Sequence, residues 1–425
     1  MKIGIDASRA NRRHKTGTEW YSYGLIRELA KIDSKNEYIL YSDVPLTGGL
    51  VDLTKDDSEV DSCSISLDID WRGYQKIKSP HGNFKAKILK WPCKYFWTQG
   101  RLSLEMLYNR LDVLFVPSHA LPVVHPKKSI VTIHDVGFER EELVYKRDEI
   151  VGAGWKKRIA DVLMPIASFG KYSKADTLNY LRWATEFALK HAYKIITISN
   201  FSKKEILDIY SADEKKIRVV HNGYNSALYK QSQDLKNIEM VRAKYGLSEK
   251  YLLYIGRLEK KKNTPALIEA FAMMKELLPD DRHKLVLVGK ASFGYDEVNY
   301  MIQEFDLNGK VIITGWVDEE DLPAFYSGAT AFVFPSVYEG FGVPLIEAMA
   351  CGVPIITSNV SSMPEVADGA AIFFNPKHVK SIADAMVRIV REEKLRQELS
   401  AHGLKRAQDF SWEKCAKETL AELVS

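Results

Sequence analysis

Two glutamates eight positions apart, Glu339 and Glu347, stand in the segment "FPSVYEGFGVPLIEAMACGVP" (residues 334–354). The first lies in a loop broken by Gly340 and Gly342. The second follows Pro344, a residue tolerated at the first helical position, and the spacing predicts Glu347 in the first turn of a helix that Gly352 and Pro354 stop. Free amides at such a helix start favour an anion. A second constellation, "GRLEKKKN", offers Arg257 and, five residues on, Lys262. Two cations of this kind suit a pyrophosphate, because each charge-assisted hydrogen bond to phosphate contributes about 1.5–3 kcal/mol net. With a helix amino terminus they would hold a departing diphosphate without a metal. A solvated basic loop is the plainer reading of the same residues.

The elements that must carry these residues read as short buried strands alternating with amphipathic helices. "KIGIDA", "EYILYS", "CSISL", "VLFVPS", "SIVTIHDV", "KIITIS" and "IRVVHNG" precede residue 224; "YLLYIG", "KLVLVG", "VIITG", "AFVFPS", "PIITS" and "AIFFN" follow it. This is the rhythm of doubly wound parallel sheets. We therefore expect two Rossmann-like α/β domains, residues 1–223 and 224–410, facing across a deep cleft, with a terminal helix over 411–425 that packs back on the first. Ser411 would cap that helix and Trp412 anchor it.

Ligands of open α/β sheets bind beyond the carboxyl ends of the strands. Polar residues gather there: His134 and Asp135 after "IVTI", Asn222 and Gly223, Gly256 and Arg257, Gly289 and Lys290, Gly315, and Ser336. After the first strand, Thr16 and Glu19 fit a capping box around Gly17, whose missing side chain would let a phosphate or sugar approach; a simply capped helix with a flexible entry is the alternative. His134 reads either as a site residue or as a structural hydrogen bonder, and Glu347 either as a ligand or as a helix-terminus acid.

A formal charge of +4 over 425 residues is too mild for a nucleic-acid binder, and 46% hydrophobic content supplies packed cores. The four cysteines, Cys63, Cys93, Cys351 and Cys415, have no paired spacing, so neither a zinc site nor a disulfide framework is expected. No leader peptide or spanning segment is read, which fits a cytoplasmic protein. One stretch breaks the rhythm. Residues 71–101 hold eight Lys or Arg (Arg72, Lys76, Lys78, Lys85, Lys87, Lys90, Lys94, Arg101), no acid, and interleaved Trp71, Tyr74, Phe84, Trp91, Tyr95, Phe96 and Trp97. It reads as a membrane-surface element for anionic lipid at the inner face of the cytoplasmic membrane, or as a solvated basic face over a core. A second basic, mostly helical stretch, 151–190, headed by Trp155 to Arg158, is placed on the acceptor side.

The only Asp-x-Asp, Asp68 and Asp70, is read as a chance match, and P-loop, Gly-x-Ser-x-Gly and first-strand Gly-x-Gly-x-x-Gly signatures are missing. Kinase, hydrolase and dehydrogenase readings lose ground accordingly. Together, "YEGFGVPLIEAMACGVPII", "GRLEKKKN", "HNG" and "TIHDV" resemble the family 4 retaining glycosyltransferases of the GT-B fold, across the whole chain and most specifically in the glutamate pair.

That resemblance implies a nucleotide-sugar donor, no metal and no other cofactor. Glu339 would contact the transferred sugar, Glu347 the ribose hydroxyls, and the amides of Gly340, Phe341, Gly342 and Val343 the diphosphate. Arg257 and Lys262 would neutralise the leaving group, with His134 and Gly17 approaching sugar and phosphate. Thr18, Glu19 and Asp135 fall to the acceptor side. Val317 and Glu319 in "TGWVDEEDL" would meet the base, Glu319 accepting from two guanine donors where uracil offers one. The donor is expected to be GDP-mannose, with a UDP-sugar (glucose or GlcNAc) possible. The acceptor is expected to be a glycan or lipid-linked saccharide. Two rivals remain open: a nucleotide-sugar epimerase of the same fold, and a non-catalytic membrane-surface scaffold that binds nucleotide sugars.

Overall fold

The computed structural model describes residues 1–13, 15–56, 68–91, 96–140, 161, 165, 170–172, 176–232, 234–247, 249–290 and 295–425. The strand expected at 63–67 lies outside the described residues, as do Lys94, Tyr95 and the basic head of the 151–190 stretch. The chain forms two compact units, Met1–Gly223 with Trp412–Ser425, and Tyr224–Ser411.

Unit 1 runs β1 (Lys2–Asp6), α1 (Gly17–Ile32), β2 (Glu37–Ser42), β3 (Tyr74–Gln75), β4 (Phe84–Ile88), α2 (Ser103–Tyr108), β5 (Val113–Val116), β6 (Ser129–Thr132), α3 (Thr177–His191), β7 (Lys194–Thr197), α4 (Asn200–Tyr210) and β8 (Ile217–Val219). Among the described residues its sheet is ordered β3-β4-β2-β1-β5-β6-β7-β8. All pairings are parallel except β3 with β4, and Ile3 stands between Tyr38 and Val113. The central strands are apolar throughout because a parallel sheet covered on both faces exposes neither; Ile3, Ile5, Leu114, Phe115, Ile130 and Val131 are fully buried.

The hairpin β3–β4 was not expected, and it gives part of residues 71–101 a strand structure. "FKAKI" alternates buried Phe84, Ala86 and Ile88 with outward Lys85 and half-buried Lys87, the period of a strand. Lys87 is spent on an ion pair with the buried Glu105 of α2. Phe84 and Trp97 belong to the core, whereas Trp71 is 87% exposed in the turn that precedes β3.

Unit 2 runs α5 (Leu235–Tyr245), β9 (Tyr251–Ile255), α6 (Thr264–Leu277), β10 (Lys284–Val288), α7 (Tyr295–Glu304), β11 (Val311–Gly315), α8 (Leu322–Ser327), β12 (Ala331–Phe334), α9 (Val343–Ala350), β13 (Ile355–Ser358), α10 (Met363–Ala367), β14 (Ala371–Phe374), α11 (Val379–Arg391) and α12 (Glu393–Ala407). Its parallel sheet is ordered β11-β10-β9-β12-β13-β14, the doubly wound arrangement in which connections leave in opposite directions from β9 and β12. Leu252, Tyr254, Phe271, Leu285, Leu287 and Val333 form its core with α6 and α11. The chain then enters α13 (Trp412–Val424), which lies on α1 within unit 1. Among the described residues, no helix is long and apolar enough to cross a membrane.

Candidate functional site

In unit 2 the residues singled out from sequence collect at the point where the strand order reverses. The loop after β9 carries Arg257 and Lys262, and the loop after β12 carries Glu339. Lys262 Nζ stands 2.5 Å from Glu339 Oε1, with 18% and 13% of the two side chains exposed. The same ammonium lies 5.6 Å from the centre of the Phe334 ring at the end of β12. A turn, Lys260–Lys262, closed by Asn263 in a left-handed conformation, delivers Lys262 to this place. Arg257 is not brought into the pair: its guanidinium is 3.3 Å from Glu259 Oε1, and its side chain is 60% exposed.

The glycine loop is held by residues that sequence reasoning missed. Ser361 Oγ accepts from the Glu339 amide at 2.8 Å and donates to the Glu339 carbonyl. Ser362 Oγ lies 3.0 Å from that carbonyl and 2.7 Å from the Phe341 carbonyl. These serines follow β13, so the rule that ligand-handling groups gather at strand carboxyl ends was the available signal. Phe341 turns inward, 3% exposed and edge-on to Phe410, which leaves only its backbone for a ligand. Gly342 caps α9 at φ +104, where an L side chain is strained.

Helix α9 starts at Val343 with Pro344 second, so Glu347 is its fifth residue and lies past the first turn that the spacing predicted. Its carboxyl is pushed up to about 8, first by burial and then by the charge of Glu319, against a hydrogen bond from Tyr326 that lowers it. That bond, Tyr326 Oη to Glu347 Oε2, is 3.1 Å. Tyr326 is the second contributor the sequence left unmarked. Glu319, in the turn Glu319–Asp321 after β11, thus shares an electrostatic neighbourhood with Glu347. Val317 is buried beside it, leaving its main chain as the usable part.

Unit 1 presents its own polar group at the carboxyl ends of β1, β5 and β6. His134 is 6% exposed. Its Nε2 lies 3.0 Å from the Pro117 carbonyl, which only accepts, so Nε2 carries the proton and Nδ1 is left as an acceptor. His119 Nε2 donates likewise to the Asp135 carbonyl at 2.8 Å. Burial, and secondarily His119, pull the His134 imidazole down to about 4, so it is neutral at physiological pH. The Asp135 carboxylate accepts from the Gly137 amide at 2.8 Å. Glu19 serves as the capping box of α1: its carboxylate accepts from the Thr16 amide at 3.2 Å and from the Thr16 hydroxyl, and stands 3.4 Å from Arg9. The Thr18 carbonyl accepts from Ser22 Oγ at 2.9 Å. A Cβ placed on Gly17 would meet nothing within 4 Å, so the space beside the first residue of α1 is open.

Two Rossmann-like sheets, one with a cation and a carboxylate paired at its switch point, define the two-domain α/β architecture called GT-B. Solved structures of this kind align along the whole chain. Sucrose-phosphate synthase from Thermosynechococcus elongatus matches with a TM-score of 0.67 and 18% identity over 99% of this chain and 98% of that one. Anabaena HepE in complex with UDP-glucose matches with a TM-score of 0.65 and 16% identity over all of both chains.

In sequence, residues 237–406 match the glycosyl transferases group 1 and residues 74–228 match glycosyltransferase family 4. The O-antigen chain mannosyltransferase B of Escherichia coli is 34% identical over 327 residues, 76% of this chain and 82% of that protein. The chain belongs to the group 1 glycosyl transferases of family 4, and is a glycosyltransferase.

Proposed function

We propose that this glycosyltransferase moves a mannosyl unit from GDP-mannose, with retention of configuration, to a glycan or lipid-linked acceptor in the synthesis of a cell-surface polysaccharide. The observation that carries the reading is the Lys262–Glu339 pair at the switch point of unit 2, 2.5 Å apart, on the loop whose amides from Gly340 to Val343 lead into α9. A diphosphate placed at those amides meets the Lys262 ammonium. The carboxylate partner is then released to accept hydroxyl hydrogen bonds from the transferred sugar.

As the sugar–phosphate bond breaks, negative charge grows on the leaving diphosphate, and preorganised cations and amides stabilise it more in the transition state than in the ground state. Arg257, on the same loop and free of the Lys262 pair, adds a second cation. The departing phosphate oxygen takes the acceptor's proton as the acceptor oxygen attacks from the same face, so the reaction balances without a separate base. Glu347 receives the ribose hydroxyls. The neutral His134 offers Nδ1 to a hydroxyl of the sugar.

Support for mannose comes from the relative named as an O-antigen chain mannosyltransferase, and support for guanine from Glu319, a carboxylate able to accept two donors from one base edge. A thermal-shift panel of GDP, UDP, ADP and their sugars tests the reading, since a ligand bound only by the folded state raises its melting temperature. GDP and GDP-mannose are expected to give the large shifts. A response to UDP alone would move the donor to a UDP-sugar, and no response to any nucleotide would overturn the enzymatic reading.

A further inference from the structure

We infer that α13 braces His134 through Tyr21, so that Trp412 and Tyr21 are positioning residues for the imidazole that unit 1 presents. The inference rests on the proposed contact of His134 with the transferred sugar. Its geometry stands within unit 1 alone.

Tyr21, in the second turn of α1, is fully buried. Its ring meets His134 edge-to-face, with centroids 4.7 Å apart and planes at 88°. Its hydroxyl lies 3.1 Å from Thr132 Oγ1, on the last residue of β6 and two positions before His134. One side chain therefore fixes both the strand end and the ring that follows it. The Pro117 hydrogen bond holds the imidazole at Nε2, and the tyrosine face or edge limits its remaining rotation.

Tyr21 is itself held from behind by α13. Trp412 packs 6.2 Å from it, and Cys415 and Thr419 border its hydroxyl. The indole reaches this position because residue 24 is glycine. A Cβ there would stand 2.6 Å from the Trp412 ring. Below Trp412 the helix buries Cys415, Ala416, Thr419 and Leu423, a stripe at helical spacing. Lys194 pairs with Glu422 and lies 2.6 Å from Ser425 Oγ, which pins the far end to β7. Packing alone would have been served by any apolar stripe. What singles out this contact is that its last link is the ring of a polar residue at the strand-end site.

The test compares Trp412→Ala, Gly24→Ala and Tyr21→Leu with Trp412→Phe and Tyr21→Phe, reading kcat, donor KM, GDP affinity and the imidazole nitrogen resonances of His134. Misplacing a contacting group by a fraction of an ångström to an ångström costs on the order of tenfold or more in rate. The first three variants are expected to lose about tenfold in kcat, to leave GDP affinity within about twofold, and to shift the His134 resonances away from a single neutral tautomer. The two phenylalanine variants keep a ring in place and are expected to retain most of the activity. A folded Trp412→Ala or Gly24→Ala with near-normal kcat and unchanged His134 resonances would overturn the brace; should either fail to fold, Tyr21→Leu is read by the same criteria. His134→Ala is the reference. If it turns over normally, the sugar contact of His134 is wrong, while the resonances still decide whether α13 positions the ring.

Discussion

Lys262 offers the sharpest perturbation. Lys262→Ala deletes an ammonium 2.5 Å from Glu339 Oε1 and, in the proposed complex, at the leaving diphosphate. A charge-assisted hydrogen bond is worth about 1.5–3 kcal/mol net, and the full Coulomb term between unit charges 4 Å apart at an effective dielectric of 20 sets a ceiling near 4 kcal/mol. Because the diphosphate gains charge on bond breaking, a loss of about 2–3 kcal/mol falls on the transition state, or about 30- to 150-fold in kcat. The same deletion strands the Glu339 carboxylate, 13% exposed, at a stability cost of about 1–3 kcal/mol. The two effects separate in the double variant Lys262→Ala/Glu339→Asn or, more conservatively, Glu339→Gln. Neutralising the stranded acid should return most of the melting temperature and none of the turnover. Steady-state release of GDP from GDP-mannose measures the rate, and scanning calorimetry the stability. If Lys262→Ala keeps kcat within about threefold of wild type while its melting temperature falls, Lys262 is only a partner for Glu339 and the diphosphate assignment is refuted.

Glu347 makes nucleotide binding sensitive to pH. Its folded-state carboxyl sits at about 8 against an ordinary 4.5, so the free protein holds a proton there between those values and loses stability as pH rises through that window. Ribose hydroxyls donating to the ionised form would expel the proton, so GDP affinity should climb from pH 6 to 8 and then level off, with proton release in calorimetry; Glu347→Gln should flatten both trends, and an unchanged profile would remove it from the ribose. Gly342→Ala forces a side chain onto φ +104 and against Leu345, which should cost about 1 kcal/mol or more and weaken GDP binding, whereas wild-type affinity would dissociate the loop from the phosphate. With Lys262 and Arg257 supplying the positive charge, EDTA should leave turnover largely intact; loss that magnesium restores would overturn the metal-free reading. Neutralising Lys85 and Lys90 together should lower sedimentation with anionic vesicles, and equal sedimentation of both proteins, or none by either, would confine residues 71–101 to the fold.

Much of unit 2 was legible because its signals are local. A buried strand such as "YLLYI" announces itself by an unbroken apolar run, and Gly342 by a turn that only glycine enters easily. The strand ends then placed Lys262 and Glu339 together by topology alone. Ser361 and Ser362 were not legible as site residues, because a serine holding a carbonyl two loops away has the same local sequence as a solvated one. Tyr326 failed for the same reason, since its partner is 21 positions distant. Glu347 was read in the first turn because Pro344 marks a helix start only to within a residue or two. In residues 71–101 the composition outweighed the period: counting lysines hid the alternation of "FKAKI", in which Lys87 answers the buried Glu105 rather than solvent.

The split of unit 1 between residues 1–223 and 412–425 also bears on how the protein is made. Synthesis is vectorial, and domains generally fold as they emerge. Here the sheet of unit 1 is complete long before α13 exists, and the seat of Trp412 over Gly24 stays unfilled while all of unit 2 is translated. During that interval the face of α1 that α13 covers has no cover. A chain terminated between residues 224 and 411 lacks α13, and with it the Trp412 ring that seats over Gly24.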